Sequence, residues 1–593
     1  MKEITILILF SLALTSFSAT YYVSTAGADS LPGTFAQPWR NPGYGSTHIS
    51  GGDTLIILSG TYYFSDYGED PIRPPHGNPG APTVIEGQGT TKPLLLGSNN
   101  LLAIFELGTY WDCRNYVTIE NFEIASLIDT PYTDGLRCGV EGGGWGDTVD
   151  HYTFKNISVH HVEETGFNLA GDSRYITFDV CTVHHSGMFA VGGPEAFAGG
   201  WQNVLIENCY LGYAGHFYEG VEQFSPWDRP DGFGIEESEG PIVISHTTAE
   251  HNRGDGLDSK SKRTYIHHCT VANNFADGIK LWGDSSRVEN TLIYGTGDGD
   301  TISSPWCLLV IDTDDSNAYF AVTNVTMWDS PDRNPHYVAT IQYDNSDIPV
   351  TLTMKNNIIS GGRRPFHANP IVNVIAENNL FYLNWDVQIY ANGIDYDSIN
   401  IGSLGSGNIF DDPLFVAPAW GADGNFHLQS GSPARDGGTA VPLTDDLDGN
   451  SRPQGSAYDI GCYEYDELFV MNVAPRPEGF EIIACPNPFN SSVQISLSCH
   501  SSESWNPGVG VMVEIFDING RLVYTPSPSV PLPKGEEGNS FSPREKVAED
   551  RMRAFIWQPS PSLPSGIYLI RARFDRLTNR DNKEITKKVV YLK

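Results

Sequence analysis

A nine-residue pattern recurs between residues 116 and 271, and its spacing limits what the chain can fold into. The clear copies are YVTIENFEI at 116–124, HYTFKNISV at 151–159, YITFDVCTV at 175–183, NVLIENCYL at 203–211 and RTYIHHCTV at 263–271. Looser copies begin at Pro241, Ser285, Tyr319, Thr351 and Asn373. Starts lie as little as 22 residues apart, as from Pro241 to Arg263, and as far as 38, from Asn203 to Pro241. The floor is the length of one structural unit; the excess is loop. Within a copy the fourth, seventh and ninth positions are mostly apolar: Ile119, Phe122 and Ile124; Phe178, Cys181 and Val183; Ile266, Cys269 and Val271. An alternation that breaks and resumes describes a short strand that turns a corner, so each unit wraps around one narrow core.

The sixth position is often Asn, at Asn121, Asn156, Asn208, Asn290, Asn324, Asn356 and Asn378. Stacked Asn side chains hydrogen-bond along a column and satisfy turn amides. Cys181, Cys209 and Cys269 share the seventh position and read as small core hydrophobes. The pattern predicts an all-β chain built on a right-handed parallel β-helix, whose successive coils pair as parallel strands. At roughly 150 residues per domain, a length of 593 suggests about four domains. One solenoid over 20–467 absorbs most of them. The regular Leu spacing of the rival leucine-rich solenoid is absent. After Asp466 the pattern gives way to alternating strands with Pro and Gly between them, which predicts a small β-sandwich over 468–593. Residues 526–553, rich in Pro, Ser, Lys and Glu, read as a disordered insertion in it.

Lys and Arg total 36 against 72 Asp and Glu, a formal net charge of -36. That balance excludes nucleic acid as a partner and disfavours an anionic membrane surface, since both need a basic face. Lys2 precedes an apolar run at 4–14 and small residues to Ala19, the form of a signal peptide over 1–19. The run is too short to span a bilayer and no later one qualifies, so the expectation is a secreted or surface-attached monomer without a transmembrane segment. The nine cysteines include no CxxC pair and a single CxxH, Cys181 to His184, which argues against a zinc site; disulfides are allowed but not compelled.

Function on a solenoid sits on side chains that point outward from neighbouring coils. Three coils in succession read DGFGI at 231–235, DGLDS at 255–259 and DGIKL at 277–281. Their Asp-Gly starts are 24 and 22 residues apart, one coil each. Strands about 4.8 Å apart then place Asp231, Asp255 and Asp277 in one column, with Gly234, Asp258 and Lys280 in the next outward one. Phe233, Leu257 and Ile279 point inward. Carboxylates this close repel unless a cation compensates, and hard oxygen ligands favour Ca²⁺. A lysine beside such a cation suits β-elimination of a uronic-acid glycoside. The metal takes the substrate carboxylate, and the amine, its pKa lowered from about 10.4, removes the C5 proton.

The residues at 20–30, 32–39 and 51–62 resemble the first coils of secreted β-helix polysaccharide lyases, and 426–435 with 459–465 their closing segment. GDGLD at 254–258 followed by DGIKLWG at 277–283 resembles the calcium and base motifs of family 9 polysaccharide lyases, the pectate lyase group. The resemblance implies Ca²⁺ held by Asp231, Asp255 and Asp258, with Asp277 as a replacement ligand, and Lys280 as base. Gly254 stands where that family has a further Asp, and Asp277 where it has an Asn. PNPF at 486–489, DINGR at 517–521, SGIY at 565–568 and a terminal Lys588-x-Val590-x-x-Lys593 resemble the C-terminal sorting domain of the type IX secretion system. That implies the type IX machinery as a partner.

Arg253, Lys260, Lys262 and Arg263 cluster on adjoining coils and are candidates to hold substrate carboxylates. Trp145, Trp227, Trp282 and Trp306 fit sugar stacking and loop anchoring equally. Of these, Trp282 lies nearest the base and is counted with the substrate-binding candidates. His160/His161, His184/His185 and His267/His268 recur at repeat corners, which favours packing or turn roles. The leading expectation is a calcium-dependent lyase acting on an acidic polysaccharide such as pectate. A β-helix glycoside hydrolase using paired Asp, and a non-catalytic glycan-binding or adhesin solenoid, are the alternatives.

Overall fold

In a computed structural model, residues 18–466 are described apart from 66–69, 99–100, 110–111, 127–137, 143–147, 195–198, 218–229, 298–305, 331–336, 363, 383–388 and 422–423; beyond 466 only strands are. The signal-peptide run at 4–14, Trp145, Trp227, the PNPF motif and the insertion read over 526–553 therefore lie outside the described residues, except that Arg553 already begins a strand, Arg553–Trp557.

The repeat is the solenoid expected. Strands fall into three long sheets of 13, 13 and 12 strands, each ordered as in the sequence, so one coil contributes one strand to each sheet. The coil that starts at Arg263 shows the scheme, with Thr264–His267, Thr270–Asn274 and Ile279–Leu281 in the first, second and third sheets. Coils pair in parallel and in register. Ile244 faces Ile266 and then Val288, and Leu257 faces Ile279 and then Leu309.

The core is the set of inward positions read from the repeat. Ile119, Phe122, Ile124, Phe178, Cys181, Val183, Ile266, Cys269 and Val271 are all buried. Full burial of each large apolar side chain contributes about 1.5–3 kcal/mol. Cys181, Cys209 and Cys269 are free thiols in this core, as are Cys307 and Cys462. The corner between the first and second sheets is one residue in the left-handed region, which explains the Asn column. Asn121, Asn156, Asn208, Asn290, Asn324, Asn356 and Asn378 have φ between 43° and 68°, a conformation Asn tolerates better than β-branched residues do. The side chains also stack: Asn156 Nδ2 donates to Asn121 Oδ1 at 2.8 Å and Asn356 Nδ2 to Asn324 Oδ1 at 3.1 Å.

A second Asn ladder runs inside the core. Asn357 donates to Asn379 Oδ1 at 2.9 Å and Asn379 to Asn408 Oδ1 at 3.0 Å, all three buried at the seventh position of their coils. That position was expected to be apolar. Self-complementary amides replace the hydrophobe because each satisfies its neighbour.

The first coil is closed by the only α-helix among the described residues, Pro42–His48, whose N-cap Asn41 accepts from Gly43 and Tyr44 N–H. Near the other end, residues 437–461 lie along the Asn column. Asn378 donates to Gly437 O, Asn356 to Thr439 O, and Asn324 to Asp459 O and Gly461 O. A fully buried Arg452–Glu464 ion pair at 2.8 Å fixes this strap.

Packing divides the chain near residue 465. The second unit has an antiparallel sheet of Phe480–Cys485, Val493–Cys499 and Arg553–Trp557. Its other antiparallel sheet is Leu522–Tyr524, Val511–Asp517, Gly566–Phe574 and Lys583–Tyr591. No helix among the described residues is long and apolar enough to cross a membrane.

Candidate functional site

Each Asp-Gly pair stands in the turn that enters the third sheet. The Asp turns one carboxylate oxygen onto the next coil. Asp231 Oδ1 accepts from Asp255 N–H at 2.6 Å, Asp255 Oδ1 from Asp277 N–H at 2.9 Å, and Asp277 Oδ1 from Cys307 N–H at 2.8 Å. The glycines are required by close approach. A Cβ at Gly232 would lie 2.6 Å from Gly256 O, and one at Gly256 would lie 2.7 Å from Gly278 O. The three aspartates form the column expected, but they are buried in the turns rather than displayed at the surface.

The outward column is also as read from the spacing: Gly234 faces Asp258, and Asp258 faces Lys280. Asp231, Asp255 and Asp258 bring one carboxylate oxygen each to within 4.8 Å of one another. Two oxygens bound to one Ca²⁺ at about 2.4 Å lie no farther apart than this. Asp258 Oδ1 is buried and makes no hydrogen bond, an acceptor left for a ligand. Three carboxylates with such an orphaned oxygen fit a hard divalent cation. Asp277 is not in this group; its described oxygen contact is the Cys307 amide.

Gly254 is explained by the same carboxylates. A Cβ there would collide with Asp231 Oδ1 and crowd the Pro230 carbonyl. The space a side chain would take at 254 is filled by the Asp231 carboxylate.

Lys280 Nζ lies 3.3 Å from Asp255 Oδ2 and 3.7 Å from Asp258 Oδ2, with its side chain 17% exposed. The Trp282 ring centroid is 5.9 Å away. Burial works to deprotonate the amine, but Asp255, Asp258, Asp277 and Asp231 together outweigh it and raise its pKa above the usual lysine value. The carboxylates respond in kind. Burial, then Asp255 and Asp258, pushes Asp231 well above the carboxylate range. Burial, offset by Lys280 and reinforced by Asp255, raises Asp258. With no metal, Lys280 is the counter-charge of the cluster.

The expected substrate cations are mostly engaged. Lys260 Nζ contacts Glu236 Oε1 at 2.6 Å, and Lys262 Nζ contacts Glu239 Oε1 at 3.4 Å. Arg263 Nη2 donates to the carbonyls of Glu239 and Gly240. Arg253 is partly buried, with its N–H on Ala214 O. Trp282 Nε1 is buried without a hydrogen-bond partner.

Two features were not legible in the sequence. The Phe189 ring lies against Gly234, where a Cβ would meet Phe189 Cε1 at 2.8 Å and Asp231 Oδ2 at 2.9 Å. Farther along the outward column stand Glu141 and Glu106. Arg73 holds Glu106 at 2.7 Å, while burial, Glu106 and Glu164 push the Glu141 carboxyl up to about 7. The only advance sign of Phe189 is that the column carries Gly at 234, where the next coils carry Asp and Lys.

The family described as right handed beta helix region matches residues 139–304. No curated protein gives a significant sequence match. The pectate lyase Pel9A aligns with 17% identity and a TM-score of 0.42 over 76% of this chain and 97% of its own. XylC, solved with xylose, aligns with 12% identity and a TM-score of 0.49 over 75% of this chain and 99% of its own. The Azotobacter vinelandii mannuronan C-5 epimerase AlgE6 A-module aligns with 13% identity and a TM-score of 0.39 over 61% and 92%. These likenesses concern overall shape; the chemistry rests on this chain's own residues.

Proposed function

We propose that the protein is a secreted, calcium-dependent lyase that cleaves an acidic polysaccharide by β-elimination, with Lys280 as the base. One observation carries this reading: Lys280 Nζ is held against Asp255 and Asp258 beside an unsatisfied Asp258 oxygen, on the outer face of the solenoid. Asp231, Asp255 and Asp258 would hold the metal. Bound there, Ca²⁺ would neutralise these carboxylates and draw in the carboxylate of a uronic-acid residue. Lys280, no longer needed as their counter-charge, then offers a free amine at Nζ. It removes the C5 proton, the electron pair forms the C4–C5 double bond, and the C4 oxygen leaves with the other half of the chain and takes up a proton from water. Asp255 orients Lys280 from one side and Trp282 limits its movement on the other.

The same proposal includes export through residues 1–19 and delivery by the C-terminal unit to the type IX machinery. The test is an assay on pectate, alginate and glycosaminoglycans with and without Ca²⁺. The expected product is an unsaturated uronide absorbing in the near ultraviolet, lost on chelation and in Lys280→Ala. Full activity in Lys280→Ala would overturn the base assignment. Saturated products with new reducing ends would replace the lyase with a hydrolase using the buried aspartates.

A further inference from the structure

The outward column that carries Asp258 and Lys280 continues for four more strands. Lys280 faces Val310, Val310 faces Thr340, Thr340 faces His367, and His367 faces Tyr390. At about 4.8 Å per strand, His367 stands about 14 Å along the axis from Lys280. The two positions between are short side chains that make a low floor. At His367 the surface becomes aromatic. Tyr390 stacks on its ring at 5.1 Å and 18°, and Tyr343 meets it edge-on at 5.8 Å and 71°.

Tyr343 is 57% exposed, although exposing an aromatic ring next to others forgoes burial. The turn that presents it is built to stay in place. Gln342, at φ 52°, is fully buried. Its Nε2 donates to the carbonyls of Thr313, Asn345 and Ile348, and its Oε1 accepts from Thr313 N–H at 2.7 Å. The Asp312 carboxylate accepts from Asp344 and Asn345 N–H on the same turn. A rigid exposed ring loses little freedom when a ligand covers it.

We propose that Tyr343, backed by the mutually packed rings of His367, Tyr390 and Tyr337, is a platform on which a pyranose ring of the polysaccharide stacks, about three coils from Lys280. A sugar ring offers a C–H face to an aromatic ring and hydroxyls to the phenol oxygens. A polymer that lies along the column from Lys280 past Val310 and Thr340 meets this cluster next, which is why the occupant is the same polysaccharide. The assignment rests on the proposed lyase reading, and the experiment separates the two. Binding of polygalacturonate, alginate and a neutral glucan, as trisaccharides and as long chains, is measured by calorimetry with Ca²⁺. Lys280→Ala serves as the non-cleaving background, and turnover is followed separately in the native protein.

Tyr343→Ala is expected to weaken long-chain binding about tenfold, with trisaccharide binding and the thermal midpoint unchanged and Tyr343→Phe close to native. Equal long-chain binding by Tyr343→Ala would overturn the platform even if the protein is an active lyase. Loss of long-chain binding in Tyr343→Ala without turnover on any acidic polymer keeps the platform and sinks the lyase. A protein captured through Tyr343, with glycan binding unaffected by the variant, overturns it.

Discussion

The corner Asn column and the Asp column that run along this solenoid differ in how far they satisfy themselves. At the corner, an Asn amide can both donate and accept, as Asn356 does, so Asn324 and Asn356 close on each other and on the strap near Thr439. In the turns entering the third sheet, Asp231, Asp255 and Asp277 only accept. Each uses one oxygen for the next coil's amide. Repeating Asn lengthens a neutral ladder. Repeating Asp accumulates buried charge that needs an external partner. The first column is structural by construction; the second sheds its charge through Lys280, a cation or protonation, and the raised pKa values of Asp231 and Asp258 record the last of these.

The largest effect that tests this contrast is expected from Lys280→Met. Loss of a general base costs about 10²–10⁴-fold in turnover. With chelator present, the unfolding midpoint should also fall, because buried carboxylates lose their counter-charge. Added Ca²⁺ should restore the midpoint but not the turnover. A midpoint that ignores both the substitution and Ca²⁺ would show that the Asp column is as self-sufficient as the Asn one.

Asn356→Ala is the matching change in the other column. It removes the bond to Asn324 and both bonds to Thr439, and places Ala at φ 55°. The expected loss is about 2–4 kcal/mol in urea unfolding, with Ca²⁺ affinity unchanged. A parallel loss of Ca²⁺ affinity would mean that the two columns are coupled. Gly254→Ala should differ in reaching the metal site as well as the fold. Its Cβ displaces the Asp231 carboxylate, so Ca²⁺ affinity should drop while stability falls by about 1–3 kcal/mol. Native Ca²⁺ affinity in this variant would remove Asp231 from the site.

The solenoid was legible because its signal is local and repeated. Ile266, Cys269 and Val271 announce their burial within seven residues, and the Asn column marks its own corners. The Asp column was legible for the same reason, since coils of 24 and 22 residues between Asp231, Asp255 and Asp277 carry no long insertion. What surrounds it was not. Glu236 and Glu239 engage Lys260 and Lys262 across a register shift between Ile235 and Ser238 that no pattern announces. Phe189 reaches Gly234 from a strand whose partner lies 42 residues on, Val191 facing Phe233, and that long interval hides the alignment. Asn357, Asn379 and Asn408 stand where the repeat reads apolar, and only the stacked geometry shows that they satisfy one another.

A column of histidines supplies a test by pH, and its sign differs from that of a histidine in an ion pair. His160 stacks on His184 at 5.1 Å and His161 on His185 at 5.0 Å, with His184 Nδ1 and His185 Nδ1 2.9 Å apart. Burial, then the neighbouring histidines, lowers His184 to about 3 and His185 to about 4. Two adjacent Nδ1 atoms share one proton only while at least one ring is neutral. In the unfolded chain these rings titrate near 6.5, so below that pH the unfolded state binds the protons first. Their contribution is therefore complete above pH 6.5 and is lost as pH falls toward 4. The slope is on the order of 1 kcal/mol per pH unit per proton. Urea midpoints between pH 7 and 4.5 should decline in the native protein and flatten in a His184→Gln, His185→Gln double variant. An unchanged slope in that variant would remove the histidine column as its source; Asp231 and Asp258, whose pKa values are raised in the fold, act in the opposite direction and stabilise as pH falls.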